Sequence, residues 1–592
     1  MIMHHRWTDS RIFSRIFFIV ILLGSLFLTF QIHRDREFFT WKSELWADRA
    51  GYYIYLPATF LYGFDAAKAP EKICEKTGDG FWIDDANNKI RTKYPLGEAI
   101  LLSPFFLLTH VISLVFDLPE EGGFSPAYHW MIDVAAVIYL VLGLMLLKKV
   151  LQRYFSSAIQ YLTLFFLYAG TNLYYYTVND GSMSHVYSFF LFALFLVALI
   201  RFLESGNHPW YLLMVFAGSL AVVTRPTNIL LFSLFFLWDI TSMKAFFGRL
   251  KTFFKPLYLG TFIIVLFLVL LPQLLYWHYL HGSYIMYTYG DEGFTNWKNP
   301  YLLEVWFSPL NGLFTYVPMV LLMLAGSLLM ILRREFNGWV TFGFFLVVSY
   351  LSAAWQTWYF GCSFGQRPFV EYFAILVVPL GFVINLAMQQ RYFLAKGVMV
   401  TLLLFFSWFT LRLTYAYEKC FFGAMWDWEN YHRQLDRAGI PFTGSPVISY
   451  HNDFENQALT GGTAVTHDRV RSGLLSATFD DSHDFCCRAE KRIWDFSPDQ
   501  MPHRMKVSGW VYFPDSLGSK INLVFSAERE GASIKWEGID LSKLVTTTND
   551  WQPFQVTYEI PQELPGETQL LFYIWNPEKK RIFVDDLDIQ FD

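Results

Sequence analysis

The chain has 592 residues, 54% of them hydrophobic and 20% aromatic, and only 16% charged where ordinary soluble domains carry about 25%. A net charge of -5 leaves no basic footprint for nucleic acid. The mean hydropathy of +0.30 argues against a wholly soluble protein, and the deficit of charge falls almost entirely before Tyr415.

From the N-terminus, the apolar run 16–32 follows Arg6, Arg11 and Arg15 and lacks a small-x-small cleavage site, so it reads as a retained first span with a cytoplasmic N-terminus. The segment from about 33 to 128 then forms a large outer loop. Within it, the apolar stretch 99–116 ends in an acidic turn with no Lys or Arg, and 129–147 ends in Lys148 and Lys149. Both runs cannot span while obeying the charge rule, so 99–116 reads as a helix in the outer leaflet. Further spans follow over 155–176, 183–201, 257–276, 313–332, 339–354, 372–388 and 397–415, with a short helical pair at 210–223 and 229–240. The count is about eleven by hydropathy and charge. No Cys/His metal spacing appears among the five cysteines, and the adjacent Cys486 and Cys487 cannot easily bridge each other without strain.

The polar loops gather on one face. Trp46-Ala-Asp-Arg-Ala-Gly-Tyr-Tyr53 carries Asp48, which can accept a proton from a hydroxyl or stand as an ordinary solvated acid, and Tyr52 beside it. Lys93-Tyr-Pro-Leu-Gly97 offers a cation for phosphate, or a snorkelling lysine, with Tyr94 shaping the turn. Asn179-Asp-Gly-Ser-Met-Ser-His185 puts Asp180 and His185 at a span boundary, where ionisable groups are costly; capping is the plainer role for Asp180. Arg225 stands between the two short helices, where a phosphate is a natural partner. The segment 355–371 holds Trp358, Gln366, Arg367 and Glu371 among glycines and aromatics that suit a sugar phosphate or an interfacial belt.

Taken in this order, these motifs resemble the GT-C class of integral-membrane glycosyltransferases, and within it the broad family containing protein O-mannosyltransferases and the aminoarabinose transferases of lipid A. The resemblance covers about 15–415 and departs from the usual pattern at Tyr94, which stands where a second proline is expected. It implies an inverting transfer from a polyprenyl-phosphate sugar to a glycan, lipid or protein acceptor on the extracytoplasmic face, and the aromatic-rich chain with its tail looks similar to Bacteroidetes-type envelope proteins, which implies a bacterial inner membrane. Carried over, Asp48 is the base, with Asp180 and His185 as further catalytic candidates. Lys93, Arg225 and Arg367 hold the donor phosphate, and Tyr52, Tyr94, Trp358, Gln366 and Glu371 line the substrate. No cofactor is indicated, and a divalent cation is left open. A flippase of lipid-linked sugars and a non-catalytic glycan-binding scaffold are the competing readings.

The expected division is a transmembrane domain over 1–425, a linker over 426–448 and an extracytoplasmic β-sandwich over 449–592. Period-two runs at 505–513, 520–526, 554–560 and 569–576 predict its strands, and Asp585-Asp586 breaks the alternation of the last one as a bulge does. With His451-Asn-Asp-Phe-Glu455, this pattern resembles jelly-roll carbohydrate-binding modules. That resemblance implies sugar binding and a structural calcium at Glu455 and Asp586; a scaffold with no ligand is the alternative.

Overall fold

Apolar runs fold as helices because a backbone removed from water must satisfy its own N–H and C=O groups. The computed structural model describes residues 11–417 apart from Trp41, Asp291 and Cys362. Beyond them it describes 428–440, 448–455, 463–479, 485–493, 502–514, 520–529, 532–561, 564–565 and 568–591. The chain divides into two units, Met1–Tyr417 and Glu418–Asp592.

Among the described residues of the first unit, seven helices are long and apolar enough to cross a membrane: Arg11–Ile32, Gly97–Val115, Pro126–Leu151, His185–Ser205, Pro256–His281, Phe336–Ala354 and Phe393–Ala416. Five shorter apolar helical segments accompany them, Ser157–Ala169, His208–Thr224, Pro226–Leu237, Met319–Leu332 and Phe373–Gln389. Several open on a proline in their first turn, where the missing N–H costs nothing. Gly97–Val115 runs antiparallel to the first half of Pro126–Leu151: Tyr139 Oη donates to Leu101 O at 2.7 Å, and Tyr128 Oη lies 2.9 Å from His110 Nδ1.

The short pair expected at 210–223 and 229–240 is only half helical in the α sense. His208–Thr224 is an α-helix, Arg225 is extended, and Pro226–Phe232 continues as a 3-10 helix before the brief α-turn Ser233–Leu237. Pro226 is the cause, since it disfavours helical geometry at Arg225 and removes a donor. The basic residues that follow lie on an amphipathic helix, Met243–Phe253, which contains no buried residue.

The long segment after the first helix is structured. It holds a short helix, Asp48–Tyr53, and a hairpin of β1 (Trp82–Asp84) and β2 (Lys89–Arg91). Tyr53, Phe81, Phe106, Phe124 and Tyr128 form its buried aromatic core.

The second unit is a β-sandwich. The stretch expected as a linker contains a helix, Trp428–Arg437. The strands are β3 (Ile448–Asn452), β4 (Val465–Thr466), β5 (Ser476–Thr478), β6 (Phe485–Arg492), β7 (Arg504–Tyr512), β8 (Asn522–Arg529), β9 (Ala532–Asp540), β10 (Trp551–Glu559), β11 (Gln569–Trp575) and β12 (Phe583–Phe591). One sheet runs β10–β7–β12–β5–β4 with β3 also on β12, the other β6–β11–β8–β9. Alternate residues from both, among them Val507, Val511, Phe525, Phe572 and Ile589, share one core. The bulge falls where the alternation broke: β12 shifts register on β7 between Asp585 and Asp588, with Asp586 at φ 47.

Candidate functional site

Asp48 opens its short helix, and its side chain is 39% exposed. Tyr94 Oη donates to Asp48 Oδ1 at 2.5 Å, and Arg367 Nη2 lies 3.2 Å from Oδ2. Burial alone would lift the Asp48 carboxyl. Arg367, the Tyr94 hydroxyl and Lys93 outweigh it and hold the group below the usual carboxylate range. Burial and the Asp48 charge together keep the Tyr94 hydroxyl protonated and therefore a donor.

Tyr94 is held against the helix by a close backbone approach. A Cβ on Gly51 would stand 2.2 Å from the Tyr94 ring, and Tyr52 packs on that ring with centroids 4.6 Å apart. Besides its burial, the Tyr52 hydroxyl feels the charges of Arg225, Asp48, Glu98 and Arg367, which links the Asp48–Arg367 pair to Arg225. Lys93 pairs with Glu292 at 2.5 Å and sits 5.6 Å from the Tyr289 ring centroid.

On another side of this centre, Arg225 Nε lies 3.0 Å from Glu371 Oε1, and His185 Nδ1 lies 3.0 Å from Glu371 Oε2. Arg225 Nη1 is 3.4 Å from His185 Nε2. Burial pushes the Glu371 carboxyl up to about 7 against the pull of Arg225 and Arg367. The Lys93-Tyr-Pro-Leu-Gly97 turn reaches this region because Gly97 has no side chain: a Cβ there would stand 2.4 Å from Thr224 N.

Other expected residues take supporting positions. Asp180 is buried and lies 3.3 Å from Arg49 Nη1. Trp358 is 2% exposed and stacked on Tyr301 at 5.9 Å, so it packs the 355–371 loop and offers no open face to a sugar. Gln366 Nε2 donates to Trp358 O, while its Oε1 is buried without a hydrogen-bond partner. Arg367 Nε is likewise buried without one, which is the condition of a guanidinium able to take a further acceptor.

Sequence reasoning passed over Glu98, Glu292 and Arg49. Glu98 is 1% exposed, and its Oε2 makes no hydrogen bond. Its signal was available: it directly follows the lysine turn, in the first turn of an apolar helix, where an acid is expensive.

Two cation sites can be weighed. His33, Glu44 and Asp133 bring ligand atoms within 4.8 Å of one another, but Arg36 Nη2 lies 3.5 Å from Glu44 and 2.6 Å from Asp133 and acts as their counter-ion. In the sandwich, the calcium expected at Glu455 and Asp586 does not fit the donors present. Glu455 Oε1 accepts from the N–H groups of Leu474 and Leu475, and Asp586 accepts from the Arg471 guanidinium and from Ser472 Oγ. These carboxylates tie the 468–475 segment, and a cation already sits on Asp586.

Among the described residues, the face of the β6–β11–β8–β9 sheet turned from the core carries four aromatic rings. Phe485 and Trp575 are parallel with centroids 6.4 Å apart, Phe485 meets Tyr573 at 5.6 Å, and Trp536 Nε1 donates to Tyr573 Oη at 3.2 Å. The Trp536 ring passes over Gly538, where a Cβ would stand 2.7 Å from it. Phe485 and Trp536 are 55% and 50% exposed, an apolar face of the kind that stacks on sugar rings.

No protein-family model matches the chain, and no curated protein matches it. Among solved structures, ArnT from Cupriavidus metallidurans bound to undecaprenyl phosphate is similar at 12% identity and a TM-score of 0.39, over 73% of this chain and 75% of that one. The archaeal oligosaccharyltransferase AglB from Archaeoglobus fulgidus, in complex with an inhibitory peptide and a dolichol-phosphate, is similar at 12% identity and a TM-score of 0.37. That match covers 68% of this chain and 55% of that one, so the chain spans about half of AglB. The CBM22-1 xylan-binding domain of Paenibacillus barcinonensis Xyn10C is similar at 18% identity and a TM-score of 0.18, over 26% of this chain and 97% of that domain. The likenesses are distant, and the chemistry rests on the residues of this chain.

Proposed function

We propose that the chain is an integral-membrane glycosyltransferase that moves a sugar from a polyprenyl-phosphate donor to an acceptor hydroxyl at the extracytoplasmic face. One observation carries this reading. Arg367 and Lys93 act on the partly open Asp48, and Arg367 and Arg225 act on the neighbouring Tyr52, so cations from three separate segments serve one region. A leaving lipid phosphate gains negative charge as its bond to the sugar breaks, and preorganised cations stabilise that charge.

In this scheme the acceptor hydroxyl donates its hydrogen bond to Asp48 and attacks the anomeric carbon from the side opposite the phosphate. The new C–O bond forms as the bond to the phosphate oxygen breaks, and the proton passes to Asp48. Tyr94 fixes the carboxylate and Arg367 keeps it ionised before transfer, so Asp48 orients the nucleophile until it takes the proton. Arg225, oriented by Glu371, and Arg367 receive the phosphate charge. The aromatic face of the sandwich supports a second role for the tail, the capture of a glycan.

The test is transfer in reconstituted vesicles from radiolabelled polyprenyl-phosphate sugars, with wild type and Arg225→Gln compared. Transfer by the wild type and its loss in the variant, with both folded, supports the enzyme. Movement of labelled lipid between leaflets with no transfer from any donor supports the flippase instead.

A further inference from the structure

In a regular strand successive side chains point to opposite faces, so neighbouring cysteines hold their sulfurs apart. Cys486 and Cys487 break that rule. Ile574 of β11 pairs with Cys486 and Phe572 pairs with Ala489, which leaves two residues of β6 opposite Tyr573. At this bulge Cys487 takes φ 55, and both side chains enter the same core, 4% and 1% exposed. Their sulfurs lie 3.1 Å apart, and Cys487 N is pinned by Thr463 Oγ1 at 2.8 Å. The strain expected of an adjacent pair is thus already taken up by the backbone.

We propose that Cys486 and Cys487 are joined in the mature protein as a vicinal disulfide that locks the bulge in β6. This rests on the reading of the sandwich as extracytoplasmic, since oxidising compartments are where such bonds persist. The co-reactant is a disulfide, carried by a protein oxidant or a small thiol. One cysteine thiolate attacks it and expels one thiol, and the second cysteine then displaces the other from the mixed disulfide. One Sγ–Sγ bond forms, and two electrons and two protons leave with the two thiols of the reduced oxidant. A ring of two neighbouring residues removes little chain entropy, so its effect is local and not a large global stabilisation. What it fixes is the strand end that carries Phe485 into the aromatic face beside Tyr573 and Trp575. Burial raises the Cys486 thiol above its usual range and makes it a weak nucleophile in the folded core, so closure belongs to the folding chain.

The test is peptide mass analysis of the full chain, acid-quenched from cells, denatured and treated with maleimide without reductant. Trypsin releases 472–488, which contains no other cysteine. The expected peptide is lighter than its dithiol by two hydrogen atoms, carries no maleimide, and takes two only after reduction. A second arm reduces the purified full chain in detergent with denaturant, then removes the denaturant in the presence of diamide, so that closure is offered to the folding chain. A dithiol in cells that closes with diamide overturns the extracytoplasmic placement and the bond in the mature protein, while leaving the pair's geometry intact. A dithiol in both arms overturns the pair itself.

Discussion

Arg367 Nη2 lies 3.2 Å from Oδ2 of Asp48, a residue 319 positions earlier in the chain. The pair joins the short helix after the first apolar span to the loop before Phe373–Gln389, and it sets what each partner can do. Asp48→Asn keeps the shape and removes the charge. We predict a fall in turnover of roughly a hundredfold or more, the scale of a lost general base, with little change in donor KM. Arg367→Lys keeps the charge and loses the planar fork. The prediction there is a rise in donor KM of roughly ten- to hundredfold, matching one charged hydrogen bond of about 1.5–3 kcal/mol. Steady-state transfer kinetics separate the two, and a reversed pattern would sink the assignment of roles.

The same pair predicts a pH dependence. The folded-state pKa of Asp48 is held below its ordinary value, so the ionised form is favoured by folding. That contribution is present above the unfolded pKa and is lost as pH falls through the lower folded one. The acid limb of kcat/KM therefore lies below the ordinary carboxylate range in the wild type. Arg367→Gln removes an opposing charge, lets burial count for more, and moves the limb upward. An unmoved limb in the variant means that Asp48 is not the titrating group.

Much of this site was legible because its chemistry is expensive where it sits. Arg225 and Glu371 border apolar helices, where an ionisable residue demands a partner; phosphate was the partner expected for Arg225, and the structure pairs it with Glu371. The Asp585-Asp586 bulge was legible because period two fails visibly. What was not legible is depth and pairing between distant segments. Nothing in the run of residues says that Trp358 turns inward onto Tyr301, or that Asp180 meets Arg49. Glu98 was missed because an acid in the first turn of a helix reads as an ordinary partner of the helix dipole. The 3-10 stretch after Arg225 was missed because hydropathy reports apolar length and not helix type.

Gly51→Ala tests how Tyr94 is held. Its Cβ would stand 2.2 Å from the Tyr94 ring and 2.4 Å from Gly80 O, so the ring must leave its place against Asp48. Overpacking of this kind costs about 1–3 kcal/mol. We predict a lower melting temperature and a loss of transfer close to that of Tyr94→Phe. Gly343→Ala, whose Cβ meets nothing within 4 Å, is the control and should leave both unchanged. Equal behaviour of the two alanines would show that the approach of Gly51 to Tyr94 does not matter.

The aromatic face of the sandwich gives the last prediction. The Trp536 ring takes its place over Gly538 because that residue has no side chain, and it stands beside Tyr573 and Trp575. Gly538→Val puts branched carbon under the ring and tilts it without removing any aromatic residue. If the face stacks on sugar rings, this variant should weaken glycan binding nearly as much as Trp536→Ala, by the roughly 0.5–1.5 kcal/mol that an aromatic contact contributes beyond its buried area. Affinity electrophoresis of the full chain in detergent, through gels carrying envelope polysaccharide, reads this directly. Transfer to a small soluble acceptor should persist in both variants, because neither residue belongs to the Asp48 cluster. Retained binding in Gly538→Val with loss in Trp536→Ala would mean that the indole matters as bulk and not as an oriented platform. Unaltered binding in both would return the sandwich to a scaffold.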